Sequence, residues 1–203
     1  MHKDCSSLST LGRRLHVVLI NIWRVVNAKG GAEKVFCDMA NALSRQGFEV
    51  SAICFDRNKG LPGYPLDSPV QFINAHEGIR KTFCDRKFLV KIRCWSLSRE
   101  QREINRFVEK FLKQRRGLET ALGCLNDVDV FISFQTETTF ILRELLKIKL
   151  PIVTMLHGNP SCYWGYPSFR FYKKAIEESS VVQVLRPEFV AEARQYVKKK
   201  CRL

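Results

Sequence analysis

Residues 15–55 read LHVVLINIWRVVNAKGGAEKVFCDMANALSRQGFEVSAICF, and this stretch decides the fold class. Its first eight residues, Leu15 to Ile22, form an apolar run rich in β-branched side chains, which predicts a buried strand. Apolar residues at helical spacing predict a helix from Ala32 to Arg45, which Gly47 ends in a left-handed conformation. Phe48 to Phe55 predicts a second strand. Together these elements form a βαβ unit, which implies parallel pairing and a right-handed crossover.

The same alternation of strands and helices continues along the chain. Further strands are predicted at 70–74, 128–134, 151–156 and 180–185. Helices are predicted at 86–97, 99–113, 136–147 (with Thr136 as a cap), 169–178 and 187–199. This order predicts an α/β fold: a single doubly wound, mainly parallel, Rossmann-like sheet with helices on both faces. Residues 1–14 are expected to form a loose tail and residues 15–203 one domain.

The composition is that of a globular protein, with 45% hydrophobic and 27% charged residues among 203. It excludes a mostly disordered chain, a collagen and a coiled coil. No apolar run approaches the roughly 20 residues of a membrane-spanning helix, and the first residues do not resemble a secretory signal. Eight cysteines occur without a Cys-x-x-Cys pair, so we expect structural thiols in a reducing cytoplasm rather than disulfides, metal ligands or redox groups.

The net charge of +14 favours anionic partners, and most of it is concentrated in one segment. Between Arg80 and Arg116 there are 13 basic and 4 acidic side chains, which gives +9. This segment predicts either a basic surface for a membrane or an anionic acceptor, or a solvated helix face with packed apolar positions. The residues expected to form the basic surface are Lys91, Arg93, Arg102, Arg106 and Lys110.

Nucleic-acid binding is a weaker interpretation of the same charge. Phe107 and Phe111 lie on the apolar face of the predicted helix, which is typical of core residues rather than of a base-stacking platform. No helix-turn-helix, zinc-finger or RNP pattern accompanies them. We therefore do not expect nucleic acid as a partner.

The loop holding Gly30 and Gly31 is the first candidate site, because ligands bind outside the carboxyl ends of the strands in such sheets. Glycines at a helix start let a ligand approach the backbone, and the free N–H groups there suit a diphosphate. The alternative is a tight turn that needs positive φ. The spacing matches neither a dinucleotide-binding fingerprint nor a Walker loop, which disfavours a dehydrogenase or a P-loop ATPase.

A second candidate is His157, which directly follows an apolar strand and precedes Gly158. Such a histidine is either catalytic or a satisfied structural group. Polar residues also cluster at the end of the neighbouring strand, where they could bind a sugar or cap a helix. The predicted sugar- or acceptor-binding residues are Gln135, Thr136, Glu137, Gly158 and Asn159.

Several segments in order resemble family 4 glycosyltransferases, which are retaining enzymes of the GT-B fold. The resemblance begins with the sequence GGAEKV at 30–35, MANAL at 39–43 and GFEV at 47–50. It continues with DVFISF at 129–134, PIVTMLHGNP at 151–160 and SVVQVL at 180–185. The likeness spans roughly Leu15 to Val197 and is specific as a set.

The resemblance implies transfer of a sugar from a nucleotide-sugar donor to a glycan or lipid-linked hydroxyl, with retention of configuration. It implies that the amino-terminal half mainly receives the acceptor. Gly30 and Gly31 would then contact the donor diphosphate, and His157 would lie beside the donor sugar as the catalytic residue. Such a site stabilises the charge that grows on the leaving diphosphate, and the family needs neither a metal nor another cofactor for this.

The chain departs from the family pattern in one respect. The family's carboxyl-terminal domain grips the nucleotide and carries two glutamates separated by seven residues, and this spacing does not occur among residues 1–203. We therefore expect an amino-terminal half without the nucleotide-binding domain, which is inactive alone and is either a fragment or completed by a separate polypeptide. The alternative is a catalytically inactive binding or scaffold module. The expected location is the cytoplasm, with peripheral contact at the inner membrane face.

Overall fold

The computed structural model describes residues 12–77, 98–161 and 169–196. These ranges contain a six-stranded sheet in the order β3-β2-β1-β4-β5-β6, and every pair of neighbours is parallel. The strands are β1 (His16–Asn21), β2 (Glu49–Cys54), β3 (Gln71–Asn74), β4 (Val128–Ser133), β5 (Ile152–Leu156) and β6 (Val181–Val184). The helices are α1 (Gly31–Arg45), α2 (Arg99–Leu122), α3 (Thr136–Phe140), α4 (Phe169–Glu177) and α5 (Glu188–Tyr196).

Helices cover both faces of the sheet because alternate residues of a strand point to opposite sides. On β1, Val17 and Leu19 pack in a cluster with Phe36 of α1. Val18 and Ile20 pack on the other face, in a cluster that includes Phe111 of α2 and residues of α3 and α4. The doubly wound, Rossmann-like α/β fold predicted from the sequence is therefore confirmed.

Two predicted helices end at different residues in the structure. The prediction that α2 ends at Lys113 is wrong, because Leu118, Ala121 and Leu122 continue its apolar stripe onto the core as far as Leu122. The prediction of one helix at 136–147 is also wrong. After Phe140 the backbone widens into a π-helical turn (Ile141–Leu145), in which the N–H of Leu146 donates to the carbonyl of Ile141 at 2.8 Å.

The predicted helix caps had different outcomes. Gly47 has φ of 90° just beyond α1, as predicted for a left-handed cap. Thr136 is not the cap, because the residue preceding α3 is Gln135, whose side chain makes no capping hydrogen bond. The predicted helix at 86–97 lies outside the described residues, as do residues 1–11 of the predicted tail.

A charged contact fixes the amino-terminal end of β1 against β4. Arg13 donates to both carboxylate oxygens of Asp129, at 2.9 and 2.7 Å, and the N–H of His16 donates to Asp129 Oδ2 at 2.8 Å. The hydrogen bond from Arg13, with that from His16, lowers the pKa of Asp129. This contact lies at the edge of the sheet opposite to the candidate site.

Two cysteines in the described ranges behave as apolar core residues. Cys37 and Cys54 are buried and form no disulfide, and burial raises their pKa to about 11 and about 12. The expectation of structural thiols is confirmed for these two residues. Cys124 is exposed, and the other five cysteines lie outside the described residues. None of the helices within the described ranges is both long enough and apolar enough to cross a bilayer.

Candidate functional site

Gln135 links the carboxyl ends of β1 and β4. Its Nε2 donates to Asn21 Oδ1 at 2.7 Å, and its Oε1 accepts the N–H of Ile22 at 3.1 Å and the hydroxyl of Thr138 at 3.0 Å. These bonds hold the segment that leaves β1 in a fixed position. The structure thus gives Gln135 a positioning role, while sugar binding by this residue stays a prediction.

Thr136 and Glu137 begin α3 beside this link. Thr136 is buried, and its hydroxyl donates to Glu137 Oε2 at 3.0 Å. Glu137 is half-buried, and its charge adds to the effect of burial in raising the pKa of Tyr172 on α4. The glutamate therefore faces the group of helices that covers this side of the sheet.

The imidazole of His157 stacks on the ring of Phe134, with a centroid distance of 5.1 Å and an angle of 23°. Phe134 in turn meets Phe36 of α1 edge-on at 5.1 Å. His157 Nε2 is buried and has no hydrogen-bond partner among the described residues. Burial lowers the pKa of His157, so the ring is neutral at pH 7.

Gly158 and Asn159 follow His157 at the same edge of the sheet. Gly158 is half-buried and Asn159 is exposed. Asn159 Oδ1 accepts the N–H of Ser161 at 3.0 Å. The sequence-predicted residues after β4 and β5 are therefore brought to adjoining strand ends.

The glycine loop offers a backbone opening at Gly31. Gly30 precedes α1 with φ of −124° and ψ of 175°, and neither glycine has positive φ, so the tight-turn alternative is wrong. A Cβ on Gly30 would collide with the Glu33 carboxylate, whereas a Cβ on Gly31 would meet nothing within 4 Å. Glu33 stabilises the helix start, and an anionic ligand that also reaches Gly30 would meet its carboxylate.

Sequence reasoning missed Asp56, which shapes the loop between β1 and α1. Its Oδ2 accepts the N–H groups of Val25 and Val26, each at 2.9 Å, and its Oδ1 accepts that of Asn58 at 2.9 Å. Asp56 itself is only 4% exposed. The signal in the sequence was an acidic residue directly after an apolar strand, at the edge where ligands bind.

A cleft of about 1040 Å³ lies beside this loop at the carboxyl edge of β1, β2 and β3. Its walls come from the segments that follow these strands and from α2. The side chain of Trp23 is 61% exposed at this cleft, and the backbone N–H of Trp23 donates to Asn21 Oδ1 at 3.0 Å. The lining includes Trp23, Arg24, Asp56, Arg57, His76 and Lys113. The sequence pattern singled out only Lys113 of these, as part of a basic stripe with Arg102, Arg106 and Lys110.

The predicted basic surface is described only in part. Arg102 is exposed on α2. Arg106 and Lys110 belong to the same helix, but the structure does not describe their side chains. Lys91 and Arg93 lie outside the described residues. Phe111 is 3% exposed and Phe107 stacks on Phe171 at 4.3 Å, so both rings belong to the core as predicted. Within the described ranges, no three His, Cys, Asp or Glu residues come together as a metal site.

Comparison with known proteins finds likeness at the level of structure. No protein-family model and no curated protein matches the chain. A sucrose-phosphate synthase from Thermosynechococcus elongatus superposes with a TM-score of 0.63 and 14% identity, covering 93% of this chain and 47% of that one. Arabidopsis thaliana UGT89C1, complexed with UDP-L-rhamnose, superposes with a TM-score of 0.54 and 13% identity, covering 93% of this chain and 51% of that one.

A trehalose 6-phosphate synthase from Burkholderia multivorans gives a TM-score of 0.52 at 13% identity, covering 93% of this chain and 44% of that one. The chain has the Rossmann-like fold of a GT-B half. It spans about half the length of each of these neighbours, and the likeness at such identities concerns the fold alone. The general part of the sequence resemblance, a glycosyltransferase-type fold, is thus confirmed.

Proposed function

We propose that this chain is the acceptor-binding half of a retaining glycosyltransferase. It would receive a glycan or lipid-linked hydroxyl and present it to a nucleotide-sugar donor. The observation that carries the proposal is the open cleft at the carboxyl edge of a parallel sheet. The Gly30–Gly31 loop and His157 follow β1 and β5 at this same edge. In parallel α/β sheets this edge is where ligands bind.

The donor diphosphate is placed at the start of α1 in this proposal. The unobstructed backbone at Gly31 and the unpaired N–H groups of the first helical turn suit a diphosphate, whose negative charge grows as the glycosidic bond breaks. Glu33 has to turn away if the diphosphate also reaches Gly30. The neutral ring of His157 would lie beside the donor sugar.

A second, nucleotide-binding half completes the site in this proposal, supplied by the same protein or by a separate polypeptide. The support is that the chain spans about half of its structural neighbours. One of these neighbours was solved with UDP-L-rhamnose. The chain alone would therefore bind a nucleotide sugar weakly.

The experiment is a titration of the ¹⁵N-labelled chain with UDP-glucose and GDP-mannose, followed by backbone NMR. We expect shifts at the amides of Gly30, Gly31 and Ala32 and at His157, and none there with uridine, which lacks the diphosphate. Gly31→Glu adds a carboxylate at the loop and should abolish the shifts at Gly30 and Ala32. Ala42→Glu, exposed farther along α1, is the matched control. Equal shifts with uridine, or no shifts in this loop, would overturn the proposal.

The second candidate function is that of an inactive binding module with the same fold. It is favoured by the lack of two glutamates separated by seven residues in the 203-residue sequence. Adding a polypeptide that carries this glutamate pair should restore sugar transfer if the chain is half of an enzyme. Nucleotide-sugar binding that never leads to transfer with any such partner would favour the inactive module.

A further inference from the structure

The cleft beside Trp23 has a positively charged wall. Arg24, Arg57 and Lys113 have no carboxylate partner among the described residues, whereas other cations, such as Arg45 and Arg170, do. Each of the three cations is exposed. They are therefore available to an anion that enters the cleft.

The acidic residues of the cleft offset this charge only in part. The Asp56 carboxylate turns away from the opening to accept three backbone N–H groups, and these dipoles offset its charge. Glu109 on α2 is the other carboxylate among the described lining residues. The wall thus presents Arg24, Arg57 and Lys113 against one exposed carboxylate, which favours an anionic ligand.

Trp23 adds an apolar platform to this basic wall. Its side chain is 61% exposed although it is large and aromatic, and its backbone is held by Asn21, which is itself bonded to Gln135. An exposed ring on a fixed backbone provides a flat surface for the C–H face of a sugar ring. Exposed aromatic surface in a concave site is typical of ligand binding rather than of the core.

We propose that this cleft binds a sugar that carries a phosphate group, with the ring on Trp23 and the phosphate between Arg24, Arg57 and Lys113. This inference rests on the proposed function and names the class of acceptor. A volume of about 1040 Å³ is at the upper end of small-molecule sites, so a phosphorylated sugar extended by a further group also fits. The phosphorylated sugar is either free or the headgroup of a lipid.

The test measures binding of glucose 6-phosphate, glucose and inorganic phosphate to the full chain by calorimetry. We expect glucose 6-phosphate to bind at least about tenfold more tightly than either component, because the two halves of the cleft act together. Arg57→Gln with Lys113→Gln should weaken it about tenfold or more. Lys149→Gln with Arg194→Gln, two exposed cations elsewhere, should leave it unchanged.

Trp23 is tested separately from the cations. Trp23→Ala should weaken glucose 6-phosphate about tenfold and leave inorganic phosphate unchanged, while Trp23→Phe, which keeps a ring, should retain most of the affinity. Because the side chain is mostly exposed, these variants are expected to fold, and their circular dichroism and thermal unfolding check this. Inorganic phosphate binding as tightly as the sugar phosphate would overturn the proposal, as would insensitivity to the cleft variants.

A vesicle arm separates the two sources of ligand. Sedimentation with phosphatidylcholine vesicles that contain phosphatidylinositol tests a lipid-borne polyol phosphate. If only one of the two ligands, glucose 6-phosphate or the vesicles, binds in a way that depends on Arg57, Lys113 and Trp23, the proposal is supported and the ligand is identified as free or lipid-borne. If neither ligand shows this dependence, the proposal is overturned. The donor titration at Gly30 to Ala32 is read independently, so sugar-phosphate binding without a response to nucleotide sugars would refute only the proposed function.

Discussion

Asp56 shows how one buried carboxylate can organise a functional loop. Its oxygens are the hydrogen-bond acceptors for Val25, Val26 and Asn58, and both valines are fully buried. Without the carboxylate the N–H groups of the two valines would be buried and unsatisfied, a state that costs roughly 1–3 kcal/mol for each group. The loop that carries Trp23 and leads to Gly31 thus depends on a residue that need not touch a ligand.

Asp56→Ala should therefore lower the free energy of unfolding by about 3 kcal/mol. The measurement is urea unfolding followed by circular dichroism. Asp38→Ala is the control, because it removes an exposed ion pair with Lys34 and should cost no more than about 0.5 kcal/mol. Similar losses in both variants would mean that the three hydrogen bonds do not hold the loop.

His157 should make the stability depend on pH. Burial lowers its pKa below the unfolded value of roughly 6.5, so between these two values the unfolded chain binds a proton that the folded chain does not. The folded chain therefore has its full stability above the unfolded pKa of His157, and it loses part of this stability as the pH falls toward the folded pKa. His157→Phe should remove this pH dependence, so unfolding free energies at pH 7.5 and 5.5 should differ less than in the unmodified chain.

A direct reading of the imidazole checks the same prediction. The Cε1–H resonance of His157 should titrate below pH 6.5, and assignment comes from its absence in His157→Phe. Titration at or above 6.5 would contradict the burial of an uncharged ring against Phe134.

At the scale of elements, the close approach of α2 to the end of β3 depends on Gly117. A Cβ at this position would lie 2.5 Å from the carbonyl oxygen of Ala75 and 2.8 Å from Phe55. In most helices Gly→Ala is stabilising, but here the added methyl group meets backbone that cannot move freely. The same contact positions α2 as a wall of the cleft.

Gly117→Ala should consequently lower the free energy of unfolding, by about 1–3 kcal/mol. Gly31→Ala is the matched control, since it also adds a Cβ in a helix but meets nothing within 4 Å, and it should be neutral or slightly stabilising. Chemical denaturation of the two variants decides between them. A stabilised Gly117→Ala variant would show that α2 can shift outward without cost.

The elements differ in how far the sequence predicted them. Strands such as β1 and helix α1 were predicted because apolar periodicity and Gly47 are local signals. The full length of α2 and the π-helical turn at Ile141–Leu145 were not, because tertiary packing decides where these helices continue or widen. The position of His157 at the sheet edge was predictable, whereas the bonds of Gln135 to Asn21 and Ile22 join segments far apart in the sequence.

At the scale of the whole molecule, the charge of +14 is unevenly distributed along the sequence. Replacing Arg102, Arg106 and Lys110 by Glu should lower the affinity for anionic vesicles, measured by sedimentation, at least about tenfold. Each basic residue near a membrane surface contributes roughly 1 kcal/mol to binding. Reversing Lys149, Lys173 and Arg194, which are exposed elsewhere, makes the same change in net charge and should have a smaller effect. Unchanged sedimentation in the first variant would refute membrane contact through this segment.

The Asp129 contact between β1 and β4 also has a consequence for biosynthesis. His16 and Asp129 meet in the finished sheet although they are 113 positions apart. A ribosome adds roughly 5–20 residues per second, so roughly 6–23 s separate the synthesis of the two strands. During that time β1 can pair with β2 but has an open hydrogen-bonding edge on its other side. The nascent chain is then most exposed to wrong pairing, and chaperones that shield this edge during translation would raise the yield of folded protein.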